Sequence, residues 1–467
     1  MNFPTLEFAA FFAIVLPLSW LLMPHPRCWK PFMIGASYVF YGSADVHFVL
    51  LLAGCTVWNQ ILARLIARVR SQRSKSWLLA IALAGDLSLL GWFKYYGFFV
   101  GSVASFTSRL HLPVPLPLLQ VALPIAISFF TFQAMSYVID VRRGTVVPAR
   151  AVDFALYLAF FPHLIAGPIV RVGELVPQFA TPRDPRRIEA TRAFGLLAGG
   201  LLKKVLIADP IATQLVNPVF DSPVLHSRLD IVVAIYAYAV QIYCDFSAYS
   251  DMAIGLALLL GFRFPQNFDR PYTAITLQEF WRRWHMSLSR WLRDYLYIGL
   301  GGNRKGRAKT YRNLMLTMLL GGLWHGAAWN FVLWGGIHGS GLAVERWHDE
   351  RRGSKDLRFP WLRWFLTFQV VCLAWVFFRA DSLGSIAEMV HRLVVGGGQT
   401  VVTLPIAALV SLGLALQFLP REPLAPLREA FIRAGPVVQG IGLASVLLLV
   451  SVLVTGQGVA PFIYYRF

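Results

Sequence analysis

Gly321-Gly322-Leu323-Trp324-His325-Gly326-Ala327-Ala328-Trp329 sets an imidazole between two tryptophans, inside an apolar segment that runs from 311 to 345. That segment is too long for one ordinary bilayer crossing, which takes about 20 residues. Gly321-Gly322 and Gly326 interrupt it. Arg304, Lys305, Arg307, Lys309 and Arg312 precede or open it, and Arg346, Arg351, Arg352, Lys355 and Arg358 follow it. Lysine and arginine collect on the cytoplasmic side of membrane proteins, so both flanks are cytoplasmic and the chain enters and returns. Irregular backbone at membrane depth is tolerated only where it is buried in protein or lines a wet cavity. His325 is expected near that break.

The surrounding chain is of the same kind. Of its 467 residues 57% are hydrophobic and 14% charged, against about 25% charged in soluble domains. Apolar runs are placed near 7–24, 28–42, 47–63, 77–97, 118–139, 193–219, 231–261, 360–378, 401–419 and 437–456. The run at 28–42 is short enough to be tilted or re-entrant. Period-2 alternation, the mark of an outer-membrane barrel, is absent. The expected class is all-α: a polytopic integral membrane protein, one domain over 1–467. Leu6 to Met23 lacks a basic leading region and a small-residue cleavage site, so it is read as a retained span rather than a secretory signal.

The formal charge of +19 does not point to nucleic acid, because the basic residues fall in short segments between apolar runs. Topology and anionic lipid headgroups account for most of it. Arg64, Arg68, Arg70, Arg73 and Lys75, then Arg142, Arg143 and Arg150, then Arg183, Arg186, Arg187 and Arg192 mark cytoplasmic connections. The N- and C-termini then face outward. In 151–175, Pro162, Gly167 and Pro168 suggest a re-entrant element rather than a crossing. Cys28, Cys55, Cys244 and Cys372 show no metal-type or disulfide-framework spacing and read as small buried hydrophobes.

An ionisable side chain at membrane depth is a functional candidate. Neutral imidazole can take a proton from a hydroxyl near neutral pH, the step that turns an alcohol into a competent nucleophile. On residue type alone, a structural histidine bonded between helices explains His325 as well. Trp324 and Trp329 could wall a pocket or pack on neighbours. A second motif, Phe280-Trp281-Arg282-Arg283-Trp284-His285-Met286-Ser287-Leu288-Ser289, holds His285. Trp281, Trp284, Leu288, Trp291, Tyr295 and Ile298 recur at three, four or seven residues and predict one amphipathic, interfacial helix. His285 then either marks that face or takes part in the chemistry.

His338 follows His325 by thirteen residues, cannot meet it on one straight helix, and is read as packing. Asp245 and Tyr249 share a face at i,i+4, either lining a polar path or, the milder reading, bonding between helices. Asp86 lies mid-span, with Lys94 as a possible partner. Arg290, Arg293 and the basic run to Arg312 suit phosphate binding, although topology alone also explains them.

Several strings in order resemble the membrane-bound O-acyltransferase (MBOAT) family, and most closely its alginate O-acetylase branch. They are Ile127-Ser128-Phe129-Phe130-Thr131-Phe132-Gln133, Phe161-Pro162-His163-Leu164-Ile165-Ala166-Gly167-Pro168, Gly261-Phe262-Arg263-Phe264-Pro265-Gln266-Asn267-Phe268, and the two histidine motifs. Position 163 departs from the glutamine expected there.

The resemblance implies an MBOAT-type helical assembly with re-entrant and interfacial helices around a central conduit. It makes His325 the essential histidine of a Trp-His-Gly motif and His285 a second histidine of the reaction chamber. Trp324, Trp329, Arg290, Arg293 and Asp245 are then substrate-binding candidates. No metal or resident cofactor is implied; acetyl-CoA is the donor substrate. The ending Pro461-Phe462-Ile463-Tyr464-Tyr465-Arg466-Phe467 looks like the family's aromatic C-terminal motif, which makes Tyr464 a candidate acyl carrier; an interfacial anchor is the alternative. The implied partners are membrane lipid, periplasmic acetyltransferase or carrier proteins, and a polysaccharide acceptor such as alginate, at the bacterial inner membrane. A D-alanyl or lipid acyltransferase of the same family is the nearest alternative, and a transporter or flippase without chemistry the more distant one.

Overall fold

The computed structural model describes residues 1, 3–112, 119, 121–165, 167–352 and 359–419, separate positions between 429 and 445, and Phe462. Tyr464 and most of the apolar run at 437–456 lie outside the described residues. Within them the only β pairing is an isolated bridge between His226 and Gln399, and everything regular is helical.

Two compact units form. The first comprises Met1–Ile188, Leu256–Pro265 and Gly326–Ala328. It opens with α1 (Leu6–Leu22), α2 (Pro26–Gly42), α3 (Val46–Arg68) and the long α4 (Gln72–Arg109). Thr5 and Asp45 cap α1 and α3 by accepting the Phe8 and His47 amides, the usual remedy for unpaired donors at a helix start. Next comes α5 (Ile127–Arg143), which begins later than the 118–139 expected. Ala126 stands before it in a left-handed conformation (φ 62°), and Pro124 just upstream cannot donate a helical hydrogen bond.

The 151–175 region is broken into short pieces, as its prolines and glycine suggest: α6 (Ala151–Ala159), α7 (Phe161–Leu164) and a four-residue turn Val172–Leu175. Phenylalanines from three elements meet here, with Phe161 packing edge-on to Phe11 and near Phe40. His163 is buried and meets the rings of Tyr157, Phe160 and Phe264. Asp86 bonds Asn59 (2.8 Å) and lies near the Cys55 thiol. Lys94, the partner expected for it, instead reaches Ser128 Oγ (3.2 Å). Lys94 lies within a wide π turn, Gly91–Tyr95, which shifts the helical register after Asp86.

The second unit comprises Glu189–Gly255, Gln266–His325 and Trp329–Phe467. The apolar run at 193–219 is helical but interrupted: α8 (Ala190–Leu202) continues into π turns at Lys203–Ala208 and Ala212–Val216. Then come α9 (Arg228–Leu259), α10 (Leu277–Arg283), α11 (Met286–Trp291), α12 (Arg307–His325), α13 (Trp329–Arg352), α14 (Pro360–Arg379), α15 (Leu383–Val395) and α16 (Leu404–Ala415). Among the described residues four helices are long and apolar enough to cross a membrane: α3, α4, α9 and α14. About three quarters (72%) of the apolar window of α9 is buried inside the protein, against 17% for α4, so α9 is a core helix and α4 a peripheral one.

The segment 311–345 is a helical hairpin. Helices α12 and α13 run antiparallel, joined by residues 326–328. Glycine allows their close approach: a Cβ at Gly322 would strike the Phe331 carbonyl, and one at Gly335 the Met318 carbonyl. Small residues at such crossings let backbones pack directly. The hairpin therefore presents His325 at its tip.

Candidate active site

His325 is the last residue of α12 and is buried. Three rings stand nearly perpendicular to it: Trp324 at 4.8 Å, Trp334 at 5.0 Å and Phe378 at 5.2 Å between centroids. Phe378 is held in place because Asn330 at the start of α13 donates to the Ala380 carbonyl (2.6 Å) just past α14. Arg379, also buried, anchors the same corner through Asp221 (2.8 Å) and Asn217 (3.1 Å).

His285 reaches the same cluster by a route the helical periodicity did not indicate. The expected single helix over 281–298 breaks at Trp284–His285, and His285 adopts a left-handed conformation (φ 39°, ψ 55°). It lies fully buried rather than on an interfacial face. The cause is Asn267. Its backbone carbonyl accepts the Met286 amide (2.9 Å), which in a continuous helix would bond back along the chain. Its side-chain oxygen accepts the Ser287 amide (3.2 Å) and hydroxyl (2.9 Å), and lies 3.2 Å from His285 Nδ1. A backbone amide can only donate, so the atom facing it is the amide oxygen, and His285 Nδ1 must carry a proton toward it. In the neutral ring the lone pair then resides on Nε2. Asn267 in turn donates to Ser250 Oγ (3.1 Å) on α9.

The two histidines are linked by Trp324, whose ring lies 6.1 Å from His285 and 4.8 Å from His325. On its other side His285 meets Phe246 edge-on at 4.7 Å. Phe246 lies 6.0 Å from Phe462, which packs tilted on Tyr249 at 3.9 Å and is buried. A residue of the C-terminal aromatic motif thus packs on Phe246 and Tyr249, one ring removed from His285.

The other candidates fall in different places. Trp329, expected as a wall, is 56% exposed at the first position of α13, and Trp334 holds that place against His325. Helical spacing explains the exchange: Trp334 and His338, four residues apart, share the face that meets Trp281 of α10.

Asp245 pairs with Lys204 (2.9 Å), which also binds Asp209 (2.8 Å). Beside it Lys203 binds Asp251 (2.6 Å) and Ser247 (2.9 Å). These ion pairs tie α9 to the 203–209 segment. Arg293 is exposed and gripped by neighbouring Asp294 in two bonds (2.6 and 3.2 Å), while Arg290 is half-buried on α11. Glu345 of α13 accepts the Leu277 and Gln278 amides at the start of α10 (2.5 and 3.2 Å), a favourable place for an anion, and so ties Trp281 to the hairpin. Among the described residues no three His, Cys, Asp or Glu side chains converge as a metal site.

Asn267, Trp334 and Phe378 were not singled out from the sequence. Asn267 had a signal, as a short polar residue after proline between two apolar stretches. Phe378 had none.

A buried pair of histidines on broken helices, walled by aromatic rings within a membrane protein, suits proton transfer away from bulk water. Residues 7–386 match the membrane-bound O-acyltransferase family. The chain is 41% identical to a probable alginate O-acetylase of Pseudomonas putida, over 93% of this chain and 94% of that one. It is 45% identical to a probable alginate O-acetylase of Azotobacter vinelandii, over 82% and 76%. A peptidoglycan O-acetyltransferase of Helicobacter pylori is 37% identical over 79% and 74%. The chain belongs to the membrane-bound O-acyltransferase family, and its activity is acyl transfer to a hydroxyl.

Proposed function

We propose that this protein takes acetyl from cytoplasmic acetyl-CoA and delivers it through a conduit past His325, for O-acetylation of alginate or a similar exopolysaccharide outside the bacterial inner membrane. In the first transfer a hydroxyl oxygen attacks the thioester carbonyl while His325 accepts the hydroxyl proton. The C–S bond breaks, the proton passes to the departing thiolate, and coenzyme A and an ester result. His285, with Nδ1 held by Asn267, offers Nε2 to the same chamber and orients the reacting hydroxyl. Tyr464 is the proposed carrier, its phenolic oxygen taking the acetyl group and passing it to periplasmic acetyltransferase or carrier proteins. A phenyl ester is a good donor because phenolate leaves readily.

The observation that carries this reading is the continuous contact from Phe462 through Phe246, His285 and Trp324 to His325. It supports a C-terminal motif working near the histidines, because a mere lipid-facing anchor has no reason to be buried against Phe246, which itself packs on His285. Arg290 and the basic residues beyond it are proposed to meet the phosphates of coenzyme A, while Asp245 serves the chamber indirectly by fixing Lys204.

Purified protein incubated with radiolabelled acetyl-CoA tests this. Wild type should release coenzyme A and acquire label, and Tyr464→Phe, having no hydroxyl to esterify, should not be labelled. Labelling of Tyr464→Phe equal to wild type would remove the carrier role. Normal polysaccharide acetylation in cells carrying His325→Ala would remove the catalytic one.

A further inference from the structure

We propose that Trp281, Trp334 and His338 form a hydrogen-bonding subsite that holds a carbonyl oxygen of the acyl donor beside His325. This rests on the acetyl-CoA reading above and adds to it a binding role for three side chains so far described only as packing.

The three rings form a closed set. Trp281 meets His338 at 5.1 Å, Trp334 meets His338 at 5.0 Å, and the two indoles meet each other at 5.7 Å, all close to edge-on. Phe280 stacks flat on His338 at 6.0 Å and closes a fourth side. The polar atoms are the telling feature. Nε1 of Trp281, Nε1 of Trp334 and both ring nitrogens of His338 are buried, and among the described residues none of them has a hydrogen-bond partner.

Buried polar groups in native proteins are nearly always bonded, and each exception calls for an explanation. Here four such atoms cluster on three touching residues. If the set were only packing, phenylalanine and leucine would fill it without burying polar atoms.

The donor count identifies the ligand chemistry. An indole N–H donates only, and a neutral imidazole donates once and accepts once. The set therefore offers three donors and one acceptor, with no charge. A neutral, acceptor-rich group answers that pattern, and a carbonyl oxygen is the simplest. The acyl donor carries carbonyls in two places, its thioester and the amides of its pantetheine arm. Trp334 contacts His325 at 5.0 Å, so an oxygen held by this set lies next to the imidazole proposed to take the proton. His338 and Trp334 ride on α13, and Trp281 on α10, whose first amides are bound by Glu345 of α13. The three are thus positioned as one rigid group.

The test compares dissociation constants of acetyl-CoA and S-ethyl-CoA, a thioether lacking the acyl carbonyl, for detergent-purified wild type and for Trp281→Phe, Trp334→Phe and His338→Leu. His338→Gln, which keeps a donor and an acceptor, serves as the rescue variant. Loss of one such hydrogen bond weakens binding by up to about tenfold.

If the thioester oxygen is held, wild type prefers acetyl-CoA over S-ethyl-CoA by about that factor, the three variants lose the preference, and His338→Gln recovers part of it. If the pantetheine amides are held, the variants weaken both ligands equally and His338→Gln again recovers part. A purely structural role would lower melting temperature without moving either constant. Folded variants with wild-type constants for both ligands overturn the subsite. Failure of wild type itself to bind acetyl-CoA overturns instead the enzyme reading on which the subsite rests.

Discussion

The lysine–carboxylate lattice at 203–251 and the aromatic chamber at His325 belong to the same compact unit, yet they treat buried polarity differently. In the lattice Lys204, 1% exposed, sits between Asp209 and Asp245, and Lys203 between Asp251 and Ser247. Each cation has its counter-charge within the protein. In the chamber the polar groups are neutral rings walled by other rings, and Trp281, Trp334 and His338 carry polar atoms that no described residue satisfies. The first arrangement pairs each lysine with a carboxylate and ties helical segments together. The second leaves polar atoms without a described partner, which is the basis for the subsite proposed above. An intramembrane charge and an intramembrane imidazole look equally functional by residue type, and what separates them is whether the protein supplies the partner.

Four experiments probe that contrast. The largest effect is expected from His325→Ala, which removes the proposed base. Transfer should fall about 10²- to 10⁴-fold in a coenzyme A release assay, with melting temperature little changed. A parallel collapse of stability would make His325 another structural group like those of the lattice. Lys204→Met should do the reverse, leaving Asp245 and Asp209 buried without their cation at a cost of about 3–5 kcal/mol. Thermal unfolding in detergent should show it, and adding Asp245→Asn should recover part. An unchanged melting curve would mean that the lattice holds nothing together.

Asn267→Ala sits between the two cases, because this side chain is a structural bond to Ser287 and also the orienter of His285. It should cost about 1–2 kcal/mol and lower the rate of transfer more than the affinity for acetyl-CoA. A loss of stability with kcat intact would place His285 outside the chemistry. The smallest effect is expected from Trp329→Ala, exposed at the hairpin turn: within about 0.5 kcal/mol in stability and near wild-type transfer. A large loss of activity there would restore Trp329 as a substrate wall.

Much was legible from local pattern. The hairpin at 311–345 follows from an over-long apolar run, its glycines and basic flanks at both ends. The irregular 151–175 region follows from Pro162, Gly167 and Pro168. His325 and His285 are conspicuous because imidazoles are rare in apolar surroundings. The failures share a cause. A stripe of six residues over 281–298 predicted one helix through His285, since periodicity cannot foresee that Asn267, eighteen residues upstream, captures the Met286 and Ser287 amides. Lys94 was a possible partner for Asp86, but it sits in a π turn that changes the register.

The sequence alone determined an all-helical membrane protein, its family, and the histidines worth attention, because hydropathy, charge bias and motif order are properties of short stretches of chain. Only the tertiary structure decided that His285 and His325 share one ring of Trp324, that Trp334 rather than Trp329 faces the imidazole, and that Asp245 is neutralised by Lys204. Those facts depend on which helix faces meet. Contacts between residues tens of positions apart follow from packing and backbone breaks, and no local pattern encodes them.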